Sequence, residues 1–137
     1  MILDGMDKLD IFHKLQSELA AFLPTLNVNS DALVPNNRLL QQELAILPEE
    51  LIYSGGYVVH TLEAAVWCLL TTSNFPEAVL KAVNLGGDAD TTGAVTGGLA
   101  GLLYGFEGIP ADWINTLARK DDIAALVREL EKRFADR

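Results

Sequence analysis

Between Asn84 and Gly93 the chain reads Asn-Leu-Gly-Gly-Asp-Ala-Asp-Thr-Thr-Gly, so two carboxylates, two hydroxyls and three glycines stand directly before the apolar segment Ala94–Phe106. On a helix, Asp88 and Asp90 would point in different directions, whereas a turn lets both converge, and Gly86-Gly87 make such a turn available. Ionised carboxylates held this close repel each other. Mg²⁺, Mn²⁺ or Ca²⁺ would relieve the repulsion with the oxygen ligands these cations prefer, and Thr91 could add a hydroxyl. A helix beginning near Asp90 would also turn its free N–H groups toward anions, a substrate phosphate among them. A purely structural alternative makes Asp90 an N-cap, Thr91 and Thr92 its first turn and Asp88 part of the preceding loop. Two other motifs fail. A helix-loop-helix calcium loop would need its closing acid at Leu99, and a phosphate-binding P-loop would need Gly-Lys-Ser/Thr after the glycines.

The elements that must position this stretch are helical. Leu9, Phe12, Leu15, Leu19, Phe22 and Leu23 recur in steps that suit an amphipathic helix over 6–23, with His13 an ordinary residue beside the stripe. Pro24 to Asp31 read as loop, and a short helix is expected over 37–46. Pro48-Glu49-Glu50 suits a first turn, and Ser54-Gly55-Gly56 breaks the pattern before a buried helix over 57–70. In that helix Val58, Leu62, Ala65, Val66 and Leu69 are expected to face inward, Trp67 to join the core and Glu63 to pair with His60. Ser73 is placed to cap a helix over 76–84, which Gly86-Gly87 would end. Short helices over 108–117 and from Asp121 or Asp122 to about Phe134 complete an all-α chain, since no stretch alternates as a strand would.

Gly93, Gly97, Gly101 and Gly105 repeat every four residues after the aspartates. On a helix they form a ridge nearly free of side chains, and each interior glycine costs about 0.5–1 kcal/mol relative to alanine. That cost predicts a second backbone packed closely on the ridge. The helix itself should be central and buried on most sides.

Composition narrows the function classes. A chain of 137 residues has the length of one domain, with 50% hydrophobic residues and a mean hydropathy of +0.21. Ten basic against nineteen acidic residues give a net charge of −9, which repels nucleic acid over most of the surface. Cys68 is the single cysteine, so an internal disulfide is excluded and a reducing cytoplasm is the expected location, with packing as the role of the thiol. Met1–Asp10 carries three aspartates and shows no secretory signal, and the uncharged run 91–106 is shorter than the ~20 residues a membrane helix needs.

Three segments taken together resemble the C-terminal part of the ADP-ribosylglycohydrolase family. They are Ser54–Ala65 (Ser-Gly-Gly-Tyr-Val-Val-His-Thr-Leu-Glu-Ala-Ala), Ala82–Gly93 with its Gly-Asp-x-Asp-Thr-x-Gly core, and Ile109–Trp113. The resemblance is strong over roughly 47–113. It implies a compact all-α multi-helix bundle and a binuclear Mg²⁺ or Mn²⁺ site, with Asp88, Asp90 and Thr91 matching the family's C-terminal metal ligands. Tyr57, Gly86 and Gly87 match the side of the site that faces substrate. His60 stands where many members carry Asp. The family completes its metal site from an N-terminal half that includes a Ser/Thr-Asp-Asp cluster. Here Ser30-Asp31 is followed by Ala32 and Asp121-Asp122 is preceded by Lys120.

The resemblance therefore implies that residues 1–137 form a single all-α domain equivalent to the C-terminal part of a larger one: a fragment, a split gene product or a late-started reading frame. The activity implied is metal-dependent hydrolysis of the glycosidic bond joining ADP-ribose to a protein side chain or small molecule. No catalytic acid or base is assigned, and the chain alone is expected to be inactive without the other half. The partners expected are that substrate and either a companion N-terminal chain or a second copy, with no nucleic acid and no membrane. The alternative is a non-catalytic, crystallin-like or remnant helical module that self-associates.

Overall fold

The computed structural model describes residues 6–26, 38–40 and 44–135. Among them are six α-helices and no strand: α1 (Lys8–Phe22), α2 (Val58–Leu70), α3 (Phe75–Asn84), α4 (Ala89–Tyr104), α5 (Ala111–Thr116) and α6 (Lys120–Ala135), joined in part by short 3₁₀ turns. The all-α expectation holds. Of the helix expected over 37–46, the described parts are two 3₁₀ turns, Arg38–Leu40 and Leu44–Ile46; of the loop expected over 24–31, the described part belongs to a 3₁₀ turn, Leu23–Leu26, and the rest lies outside the described residues.

Helices α2, α3 and α4 form the centre, with α4 packed along both of the others. Trp67 and Cys68 of α2 sit with Phe12, Leu44, Ile52 and Ala82 in one buried cluster, as the sequence suggests for both residues. Phe75, Ala78 and Ala100 make a second at the α3–α4 crossing. Trp67 keeps its polar edge satisfied by donating from Nε1 to the Leu47 carbonyl at 3.0 Å, while Lys81 Nζ lies 3.9 Å from its ring centroid. The Lys8 ammonium donates to the Leu69 carbonyl at 3.1 Å and to that of Thr72, so α1 is pinned to the negative end of α2.

The start of α3 lies one residue from where it is expected. Asn74 caps it, accepting from the Glu77 amide at 3.0 Å, and Ser73 instead donates its own amide to Glu77 Oε2 at 3.0 Å. This reciprocal box leaves Pro76 in the first turn, where its missing N–H is harmless.

The buried face of α2 differs from the expected one. Val58 and Leu62 are exposed, while Thr61, Glu63, Ala64, Ala65, Trp67 and Cys68 are buried. Glu63 pairs with Arg38, which also donates to the Leu51 carbonyl at 2.9 Å, and not with His60. A buried carboxylate needs a full countercharge, and an imidazole three residues away on the same helix points elsewhere, here between the rings of Tyr53 and Tyr57.

Helix α4 also departs from expectation. Its buried stripe is Thr92, Thr96 and Ala100, so it is not sunk on most sides, and Leu102 is exposed. Among the described residues, no second backbone lies on the glycine ridge. A Cβ on Gly93 would meet Val83 Cγ2 at 4.0 Å and one on Gly97 would meet Val79 Cγ2 at 3.9 Å, both ordinary side-chain contacts, while Gly101 faces open space. Gly105 has left the helix, with φ 74°. The glycines let α3 press its valines onto α4 at close range, which is a weaker demand than backbone contact.

Candidate metal centre

The loop before α4 is tied to the loop before α2 by a short set of bonds. Ser54, itself buried, donates from Oγ to the Gly86 carbonyl at 2.9 Å, and its own carbonyl accepts from the Asp88 amide at 2.7 Å. Gly87 lies so close that a Cβ would fall 2.6 Å from the Ser54 carbonyl oxygen, and its φ of 61° is one that L-residues resist. Gly56, at φ 79°, presents its bare Cα to Asp88: a Cβ there would sit 2.6 Å from Asp88 Oδ2. Ser54 and Gly56 on one side and Gly86, Gly87 and Asp88 on the other thus lock two turns together, and Gly56 leaves the room that the Asp88 carboxylate occupies.

Asp88, and not Asp90, is the N-cap of α4, and its side chain makes no capping hydrogen bond. The structural alternative for this stretch is therefore corrected in both respects. The helix begins one to two residues earlier, because the Asp88 carbonyl already accepts from the Thr92 amide at 3.0 Å. The carboxylate most suited to capping is left turned toward Asp90 and Thr91. The Thr91 hydroxyl, and after it the Asp90 carboxyl group, hold the Asp88 carboxyl below the ordinary carboxylate range. Asp88 is half-buried, while Asp90 and Thr91 are exposed.

The fit to a hard cation rests on this donor set. Two carboxylates and one hydroxyl lie on one turn, with the Asp88 carboxylate seated in a recess made by a glycine. Among the described residues no group of three His, Cys, Asp or Glu side chains comes together that could hold a metal ion. The chemistry of the donors suits Mg²⁺ or Mn²⁺, and their number leaves coordination positions for other ligands.

Tyr57 follows Gly56 directly and caps α2 through its backbone; its ring is exposed. It meets His60 edge-on at 5.1 Å between centroids, and Tyr53 meets the other flank of His60 at 5.4 Å. Of the residues that sequence reasoning assigned to the substrate side, Tyr57 and Gly87 thus adjoin Asp88 through the locked turns, and Gly86 holds φ 74° with nothing near its Cα. Ser54 is the residue that reasoning undervalued. Only its position directly before two glycines could have signalled that it ties the two turns together. Tyr53 was missed altogether, as an aromatic residue in a short turn carries no pattern of its own.

Against known proteins, the family model for ADP-ribosylglycohydrolase matches residues 1–137, and the chain belongs to the ADP-ribosylglycohydrolase family. The ADP-ribosylarginine hydrolase Tri1 of Serratia proteamaculans (strain 568) is 48% identical over 79 residues, which are 58% of this chain and 22% of the relative. The ADP-ribosyl-[dinitrogen reductase] glycohydrolase of Rhodospirillum rubrum is 42% identical over 67 residues, 49% of this chain and 23% of the relative. The ADP-ribosylhydrolase ARH3 of Bos taurus is 26% identical over 110 residues, 70% of this chain and 30% of the relative. The chain thus spans less than a third of the length of each of these relatives. No described helix is long and apolar enough to cross a membrane.

Proposed function

We propose that this chain is the metal-holding, substrate-facing C-terminal part of an ADP-ribosylglycohydrolase, which hydrolyses the glycosidic bond between ADP-ribose and a protein side chain or small molecule in the cytoplasm. The observation that carries the reading is the turn Asp88–Thr91, locked by Ser54 and Gly87, with the Asp88 carboxylate seated against Gly56 and drawn toward Thr91 and Asp90. Asp88, Asp90 and Thr91 would hold Mg²⁺ or Mn²⁺, as a binuclear site completed by ligands from a companion N-terminal segment. The cations, when bound, would supply a positive charge that orients ribose hydroxyls and a water. The chain's own residues orient the site. Ser54, Gly56 and Gly87 fix the place of the Asp88 carboxylate, and Tyr57, which follows Gly56 directly, sets its ring edge-on to His60 with Tyr53 against the same imidazole. The arginine linkage named for the Serratia relative is the first substrate to try.

The chain incubated with ADP-ribosylarginine and Mg²⁺ or Mn²⁺ should release little ADP-ribose. Adding the part of the Serratia relative that precedes its matched stretch should raise the rate, and Asp88→Ala should abolish that rise. Robust turnover by the chain alone would contradict the division of ligands proposed here. A second reading, a non-catalytic helical module, is favoured by the shortfall of converging ligands among the described residues. Absence of metal binding by the wild-type chain would support it.

A further inference from the structure

The C-terminal half of α4 does not close against its neighbours. Between it, α1 and the last turns of α2 lies a cavity of about 140 Å³, walled by Phe12 and Leu15 of α1, Val66 and Leu69 of α2, and Leu99 and Leu103 of α4. Every lining residue is apolar except Lys8, and that ammonium is turned to the carbonyls of Leu69 and Thr72. An ordered water needs several polar partners, and these walls offer it almost none. An apolar space of about 150 Å³ lined by Leu, Ile and Phe takes benzene instead. Leu15 and Leu102 line the cavity and are exposed, so a ligand has a way in that leaves the helices folded.

Charge decides what the cavity refuses. Lys8 also borders a wider recess with Asp7, Ser73 and Tyr104, and its positive field helps to hold the Glu77 carboxyl below the ordinary carboxylate range. The cation beside the cavity is thus engaged by two carbonyls and stands among the Asp7 and Glu77 charges, which repel an incoming anion. An acid with an apolar tail finds no free counterion there. We propose that this cavity is a binding site for one small uncharged apolar molecule, a ring or short alkyl chain of about benzene's size, held between α1 and the α2–α4 pair.

A filled cavity gains dispersion contacts that an empty one forgoes, so the ligand stabilises the folded chain. Leu99 lies about 16 Å along the α4 axis from Asp88, so the ligand does not touch the metal turn and the proposal is independent of the glycohydrolase reading.

Benzene titrated into the full chain should shift the methyl resonances of Val66, Leu69, Leu99 and Leu103 saturably, with a dissociation constant on the order of 1 mM, and leave those of Val83 in place. At about ten times that concentration the thermal midpoint should rise by about 5 °C. Benzoate, which adds a charge to the same ring, should do neither. Leu15→Trp at the exposed rim and Leu99→Phe on the facing wall each fill the space, and each should weaken benzene binding at least tenfold. A space taken in solution by a second copy or by another segment of the chain would give no shift up to the solubility limit of benzene. That result, equal binding of benzoate, shifts at Val83 as large as those at Leu99, or undiminished binding by the two filled variants would each overturn the proposal.

Discussion

The turns around Asp88 and the helix α6 are built on opposite principles. Around Asp88 the chain uses small residues, left-handed glycines and short polar bonds to fix a few atoms in place, and almost nothing there is greasy. Helix α6 does the reverse: Ile123, Leu126, Val127 and Leu130 recur along it, none of its residues is buried, and its Arg133–Glu129 pair is exposed. The difference teaches where precision is demanded. The turns that carry Asp88 are held by contacts in which one added methyl has no room, whereas an exposed helix tolerates change at most positions.

Breaking the contrast at its most demanding contacts should give the largest losses. Arg38→Ala leaves the Glu63 carboxylate buried without its countercharge and should cost about 3 kcal/mol in denaturant unfolding. Removing Arg133 from its exposed pair with Glu129 should cost no more than about 0.5 kcal/mol in the same assay. If the two losses were equal, the burial of Glu63 would not be the deciding factor. Gly87→Ala meets both a left-handed φ and the Ser54 carbonyl, and should destabilise by about 2–3 kcal/mol. Gly86→Ala shares the φ without the collision and should stay near 1–2 kcal/mol. Gly101→Ala, in open space within α4, should stabilise by about 0.5–1 kcal/mol, which thermal unfolding can resolve.

Much of this architecture was legible in the sequence because the local signals agreed with one another. The periodicity around Phe12 and the Pro76–Glu77 start marked α1 and α3, and the Gly-Asp-x-Asp-Thr segment marked the turn that opens α4. What was not legible depended on partners far along the chain. Glu63 reads as a polar-face residue until Arg38 is brought beside it. Val58 and Leu62 read as core because periodicity reports which residues share a face, not whether anything covers it. The glycine ridge misled for a related reason: the spacing shows that close approach is possible, and only the fold shows that valine side chains take the space. At the N-terminus of α4, Asp88 and Asp90 are both acceptable caps, so composition alone could not say which of them the helix uses.

Two smaller effects sharpen the comparison through pH. Burial pushes the Cys68 thiol up to about 12 from an ordinary 9.0, with the nearby Lys81 ammonium working against the shift. The unfolded thiol ionises first, so its contribution to stability is intact below about pH 9.0 and is lost as pH rises toward about 12. Cys68→Ala should flatten that alkaline decline. Glu77 is held below the ordinary carboxylate range by the Ser73 amide and then by Asn74. Its contribution is present above the unfolded value and disappears as pH falls through the folded one, so Glu77→Gln should lessen the acid sensitivity of unfolding.

The most direct test of the central claim is titration of the chain with Mn²⁺, followed by loss of the free-ion electron paramagnetic resonance signal, for wild type, Asp88→Ala and Asp90→Ala. The account predicts saturable binding by the wild-type chain and at least a tenfold loss of affinity, about 1.4 kcal/mol, in each variant. Equal binding by all three proteins, or none by any, would contradict it.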